Sequence, residues 1–442
     1  MTTWYKKEDS WAMLIALLLL LLATLLFTGG ASGGLRLLGA HFATWSSWAT
    51  LTATLAATLP ALAVLYLLLL ALVGLGARGL GYDGKRFLLG FSLLYGLGVL
   101  VALLSSNSLL KSWQLESPLL ALAVGLIWAN GARLPAWLES ALRTEFYVKT
   151  GIVLMGATLP FSLILTAGPA AIGQALIVSV VTFVSIFLIA TRGLGLDKRF
   201  AACLSAGASI CGVSGAIAIG GACRARKEQV SVAISLVIVW AVVMIFVLPL
   251  LCRALGLDSG VAGAWIGTSE FADAAGFAAA AAIGDEAAKS AFTLMKVVGR
   301  DMFVGVWAFI VALLSVSVWE RQSLAHSERI GAGEIWQRFP KFILGFFLAS
   351  LLTTLMIGAL GDGGTAYQKE ALGALKNLRG WFFTLTFLSI GLTTRFRELT
   401  AVGFRPLLAF SLGVAINLPL GYWLSNHVFA DFWRSLPKGI IG

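Results

Sequence analysis

Five ionisable residues, Glu270, Asp273, Lys296, Arg300 and Asp301, fall close together in a chain in which only 12% of residues are charged. All five lie in or beside apolar segments. A charged side chain at the centre of a membrane costs roughly 2.5–3.5 kcal/mol on the insertion scale, so such residues serve an ion or proton path or a buried pair. Glu270 and Asp273 are i, i+3 on one helical face, and Lys296 and Arg300 are i, i+4 on another, with Asp301 beside them. Two chemistries fit. In one, Lys296 and Arg300 bind a substrate oxyanion, Arg through its fork of donors and Lys as a point charge, while Glu270, Asp273 and Asp301 bind a coupling ion. In the other, the cations snorkel to the surface or pair with the carboxylates as structural glue.

The elements that must position these residues are membrane helices. Hydrophobic residues make up 59% of the 442, and mean hydropathy is +0.91, far from a soluble domain. Runs such as WAMLIALLLLLLATLLF (Trp11 to Phe27) and ISLVIVWAVVMIFVLPLL (Ile234 to Leu251) are long enough for a hydrocarbon core of about 30 Å. The pattern predicts an all-α polytopic membrane protein with about 11 transmembrane helices and two shorter, broken or re-entrant segments. The first apolar run exceeds the core of a signal peptide and reads as an uncleaved helix. Cys203, Cys211, Cys223 and Cys252 form no C-x-x-C pair and read as small apolar fillers. No nucleotide, hydrolase or zinc-protease motif is present, so an enzyme, a cofactor and a metal site are not expected. His41, His326 and His427 sit in predicted loops or at span ends.

The net charge of +11 encodes orientation rather than nucleic-acid binding. With a cytoplasmic N-terminus, twenty-one Lys and Arg fall inside and nine outside. This assumes that the segments near 200–221 and 263–283 dip in and return; if both cross, the split weakens to nineteen against eleven. Either way the C-terminus is periplasmic.

The first of those segments contains AGASICGVSGA (Ala206 to Ala216), with three Gly and two Ser. Small residues let helices pack closely. They also permit a break that frees backbone donors and hydroxyls for a ligand, as Gly207, Ser209, Gly212 and Ser214 would do. The second segment holds GTSEFADAAG, in which Gly267-Thr268-Ser269 matches Gly207-Ala208-Ser209. Two further pairs match: AVGLIWAN (Ala123 to Asn130) with ILGFFLAS (Ile343 to Ser350), and GATLPF (Gly156 to Phe161) with GLTTRF (Gly391 to Phe396). In the assigned topology each pair runs in opposite directions, which is the pattern of an inverted-repeat transporter. Thr158 and Thr393, at matching positions, would flank the cavity. Asn417-Leu418-Pro419 reads as a kink.

GASICGVSGAIAIGGACRARKEQVSVAIS, WIGTSEFADAAG, LMKVVGRDM, GIVLMGATL and FLSIGLTTRF resemble the YeiH-like family of bacterial inner-membrane proteins, which are labelled sulfate exporters. The resemblance covers about residues 86 to 426. It implies a secondary transporter related to the cation/proton antiporters and anion transporters. By position, Gly207, Ser209, Cys211, Gly212 and Ser214 match the first signature, and Lys296 and Arg300 the basic pair. Where the family has a His-Asp or His-Glu pair after the second G-x-S, this chain has Ser269, Glu270, Phe271, Ala272 and Asp273, so the coupling ion or substrate can differ.

The expected organisation is two additional N-terminal helices (1–85), a transporter core (86–426) and a C-terminal tail (427–442). The expected function is export of a small anion, such as sulfate or a sulfonate-type oxyanion, by alternating access in the inner membrane. Coupling is to a proton or sodium gradient. Substrate contacts are assigned to Gly207, Ser209, Gly212, Ser214, Ser269, Lys296, Arg300, Thr158 and Thr393, and ion coupling to Glu270, Asp273 and Asp301. A homodimer in the lipid bilayer, with no nucleic-acid partner, is expected. A passive anion channel and a membrane scaffold or sensor are the alternative classes.

Overall fold

Helix starts in this chain are written by short polar residues. A computed structural model describes residues 7–112, 117–159, 161–315, 319, 341–395 and 403–436. Ser47 and Thr50 form a reciprocal capping box, and Asp83, Asp197 and Asp285 accept hydrogen bonds from the first free amides of their helices. At Asp83, an exposed loop residue, the Arg86 amide is the main cause of a carboxyl group held below its ordinary range.

The described residues are helical apart from turns and one isolated bridge between Trp45 and Asn107. They fold as two units. The first comprises the described residues up to Ile164 and from Lys341 to Arg395; the second comprises the described residues from Leu165 to Trp319 and from Gly403 to Leu436. Seven helical stretches among the described residues are long and apolar enough to cross a membrane. The eleven expected are therefore not all of that kind. Ser117–Gly131, Thr144–Ala157 and Val304–Leu314 are apolar but only 15, 14 and 11 residues long.

The first unit contains α1 (Glu8–Thr28), α2 (Ser32–Leu38), α3 (Trp48–Gly79), α4 (Gly84–Ser105), α5 (Ser108–Ser112), α6 (Ser117–Gly131) and α7 (Thr144–Ala157). The later helices Lys341–Leu360 and Gly373–Thr393 join them. From Phe146 to Ala157 every residue of α7 is buried, because α1 and both later helices pack around it. The N-terminal helix is tied in by charge as well: Lys149 of α7 pairs with Asp9 of α1 at 2.8 Å and with Glu145 at 3.3 Å, and Asp9 also accepts from the Lys341 amide.

The matched sequence pairs exchange partners in this unit. Asn130 Nδ2 donates to Thr394 O at 3.1 Å, and Ser350 Oγ donates to Leu159 O. Asn130 and Ser350 end the two matched octapeptides, and Leu159 and Thr394 are the fourth residues of the two matched hexapeptides. Glycine positions repeat the exchange: a Cβ on Gly391 would meet Gly125 and Leu126, and a Cβ on Gly156 would meet Phe346, the counterpart of Leu126. Phe396, which closes the second hexapeptide, lies outside the described residues, as does His326.

The second unit runs α8 (Phe161–Leu188), α9 (Lys198–Ser209), α10 (Val213–Ala222), α11 (Lys227–Ala254), α12 (Ser259–Ser269), α13 (Asp273–Ala281), α14 (Glu286–Thr293) and α15 (Val304–Leu314). The first-unit helices Lys341–Leu360 and Gly373–Thr393 are α16 and α17. The second unit ends with α18 (Phe404–Trp423) and α19 (Ala430–Arg434). The expected division at residues 85 and 426 follows the chain, whereas the packing interleaves it.

Candidate functional site

The two small-residue segments are hairpins broken at matching positions. Ser209 ends α9 and Ser269 ends α12; Gly212 precedes α10 and Ala272 precedes α13. Each hairpin returns toward its own start. Arg199, in the first turn of α9, donates to Arg224 O just beyond α10 at 3.3 Å, and Cys223 Sγ reaches Arg199 O. Arg253, at the end of α11 and so just before α12, donates to Ala282 O just beyond α13.

Local sequence explains both breaks. Gly212 has φ +63° and ψ −116°, and a Cβ there would collide with the Phe271 carbonyl of the other hairpin. Only glycine meets both conditions. In the second break Glu270 and Ala272 are extended, and Glu270 Oε1 accepts from the Phe271 and Ala272 amides at 2.9 and 3.3 Å. The carboxylate thereby replaces helical hydrogen bonds that the break removes.

Lys296 and Arg300 bind the two breaks together. They lie in a π-helical turn, Leu294–Arg300, that continues α14. The i, i+5 spacing of such a turn stacks Lys296 over Asp301. Both cations are 0% exposed. Arg300 donates to five main-chain carbonyls: Nε to Ser209, Nη2 to Ala208, and Nη1 to Gly267, Thr268 and Glu270, at 2.9–3.3 Å. These oxygens end α9 and α12, where helix dipoles present negative charge. The Ala208 and Thr268 carbonyls are counterparts in the matched segments. So are those of Ile210 and Glu270, the first held by Lys296 and the second by Arg300. Lys296 Nζ also donates to Asp301 Oδ1 at 3.0 Å and forms an ion pair with Asp273 Oδ1 at 2.9 Å.

Buried polar atoms are left over around the breaks. Glu270 Oε2, Asp301 Oδ2, Ser209 Oγ and Asn417 Oδ1 find no hydrogen-bond partner among the described residues. Asn417 of α18 stands in the Asn-Leu-Pro stretch that reads as a kink, and Pro419 lies inside the helix. Its Nδ2 donates to Thr182 Oγ1 of α8 at 3.0 Å and Thr268 O at 3.3 Å. Ser179 of α8 donates to Ser209 O at 2.9 Å, and Thr268 and Ser269 are fully buried. Sequence reasoning missed Asn417, Thr182 and Ser179. The signal available was an amide in mid-span, where polar groups are expensive.

The structure therefore gathers Gly207, Ser209, Gly212, Ser269, Glu270, Asp273, Lys296, Arg300 and Asp301 about the two breaks. Ser214 lies in the first turn of α10. Thr158 and Thr393 belong to the first unit. Thr158 Oγ1 donates to Met155 O and accepts from Arg379, and Thr393 Oγ1 donates to Ser389 O of its own helix. Among the described residues, no three His, Cys, Asp or Glu side chains group as a metal site.

An all-helical chain with several membrane-length apolar helices and two discontinuous hairpins is a polytopic membrane protein. It belongs to the family described as conserved hypothetical protein 698, whose model matches residues 89–410 and which is the YeiH-like family that the sequence resembles. It is 37% identical over 373 residues to a UPF0324 membrane protein of Rhodopirellula baltica, covering 83% of this chain and 68% of that protein. A UPF0324 membrane protein of Nitrosomonas europaea is 31% identical over 406 residues, 82% of each chain. One of Nitratidesulfovibrio vulgaris is 35% identical over 361 residues; the alignment spans 80% of this chain and 61% of that longer relative. No solved structure matches.

Proposed function

We propose that this protein is a secondary active transporter of a small anion, of the sulfate or sulfonate type, working by alternating access coupled to a cation gradient across the bacterial inner membrane. The observation that carries the reading is the meeting of two helix hairpins, broken at matching residues, around buried Lys296 and Arg300. Irregular backbone at membrane depth is tolerated only where protein covers it or where it lines a cavity, and transporters place their sites at such breaks. The exchanged contacts Asn130–Thr394 and Ser350–Leu159 support an inverted repeat, the architecture that alternating access uses.

In this reading the anion is received beside Ser209 and Ser269, at the Gly212-preceded N-terminus of α10, where amide dipoles favour negative charge. Lys296 and Arg300 supply positive field from behind the breaks and fix the two hairpins in register. The test is uptake of radiolabelled sulfate and methanesulfonate into proteoliposomes with an imposed pH or sodium gradient. Saturable, gradient-dependent flux that falls in Ser209→Ala supports the reading. Flux no faster than in protein-free vesicles for both anions rejects it.

A further inference from the structure

The charges around the breaks do not balance. Two buried cations, Lys296 and Arg300, face three carboxylates, Glu270, Asp273 and Asp301, so one negative charge is left over. The half-helix dipoles do not change this, because two C-terminal ends (α9 and α12) are offset by two N-terminal ends (α10 and α13). A buried charge without a partner is expensive, and a site built this way takes up one positive charge.

Position decides which kind of positive charge that is. Carbonyl oxygens at the ends of broken helices are the groups that coordinate metal cations in transporters. Here five of them, from both hairpins, converge on the Arg300 guanidinium. The coordination that a sodium ion would use is filled by a cation belonging to the chain. Asp273 and Asp301 share Lys296. Glu270 is 0% exposed, receives two amides on Oε1, and leaves Oε2 without a partner among the described residues.

We propose that the coupling ion is a proton, bound by the Glu270 carboxylate to give the neutral acid, and that Arg300 serves as a built-in substitute for a metal cation at the crossing of the breaks. The proton comes from water on one side of the membrane and is released to water on the other, with no other bond made or broken. The charged groups facing Glu270 are Lys296 and Arg300 from the α14–α15 segment; Asp301 of the same segment, Asp273 of α13 and the Cys211 thiol in the first break surround those two cations. α8 and the middle turns of α11 and α18 carry no Asp, Glu, Lys, Arg or His. The transport reading enters only in calling this proton a coupling ion; proton binding itself does not depend on it.

Infrared difference spectra of the purified full-length protein in lipid nanodiscs, recorded across a pH titration, test the assignment. The expected result is a protonated-carboxyl C=O band that is lost in Glu270→Gln, shifted in Glu270→Asp and retained in Asp301→Asn. Sodium chloride and choline chloride should give the same melting temperature. The proposal is overturned by absence of a band that Glu270→Gln removes, or by a sodium-specific rise in melting temperature that Glu270→Gln abolishes. Tracer flux on the same preparations separates the two readings: the band without anion flux keeps the proton site and rejects transport, and flux without the band does the reverse.

Discussion

Replacing Arg300 separates its two readings. If its guanidinium existed to bind substrate, Arg300→Ala would abolish flux and leave the fold intact. The geometry gives a different expectation, because all of its observed hydrogen bonds go to main-chain carbonyls. Each buried carbonyl left without a donor costs about 1–3 kcal/mol. Ser209 O and Thr268 O keep a second donor in Ser179 and Asn417, so three carbonyls are stranded, a cost of about 3–9 kcal/mol against the entire stability of a small domain, about 5–15 kcal/mol. Arg300→Ala is therefore expected to fail to purify as a monodisperse protein. Arg300→Lys keeps the charge but replaces the planar fork with a point charge of three protons, and each of the Ala208, Gly267 and Glu270 carbonyls that it fails to reach costs about 1–3 kcal/mol. The assay is thermal unfolding in detergent, followed by intrinsic tryptophan fluorescence and gel filtration. A clear fall in midpoint for Arg300→Lys is expected. Arg300→Ala unfolding at the wild-type temperature would refute the role assigned to these carbonyls.

Two further substitutions probe the frame. Gly212→Ala places a side chain at positive φ and against Phe271 O; the backbone strain alone costs about 1–3 kcal/mol, so the variant should melt lower and lose flux. Lys149→Met strips the counter-ion from Asp9 and Glu145 at the junction of α1 with α7 and should cost up to about 3 kcal/mol. A midpoint that moves back toward wild type when Asp9→Asn is added would confirm the pairing.

The breaks were legible in the sequence because they depend on residue types. Gly and Ser clusters in apolar surroundings mark where a helix stops, and the matched tripeptides at 207–209 and 267–269 fall on equivalent half-helix ends. The buried charges were legible for the same reason, being costly in a membrane. The partners of Arg300 were not, since main-chain carbonyls have no sequence signature. Asn417 reads as part of a kink because Pro419 stands two residues on, whereas its bonds to Thr182 and Thr268, which join three separate helices, come from packing that local sequence does not encode. Hydropathy alone does not distinguish a full crossing from the short apolar helices α6 and α7. Which helices share a unit depends on packing between segments far apart in sequence, such as α1 with α7 and α16, and local patterns do not encode that.

Cys211 lies within the first break and is buried in this structure, which makes it a reporter of alternating access. With Cys203, Cys223 and Cys252 replaced, its reaction with a membrane-impermeant thiol reagent is to be measured from each side of oriented proteoliposomes. Alternating access at the hairpin breaks predicts labelling from either face, with the reactive face exchanging when the pH gradient is reversed. Labelling from one face alone under every gradient, or from neither, would contradict it.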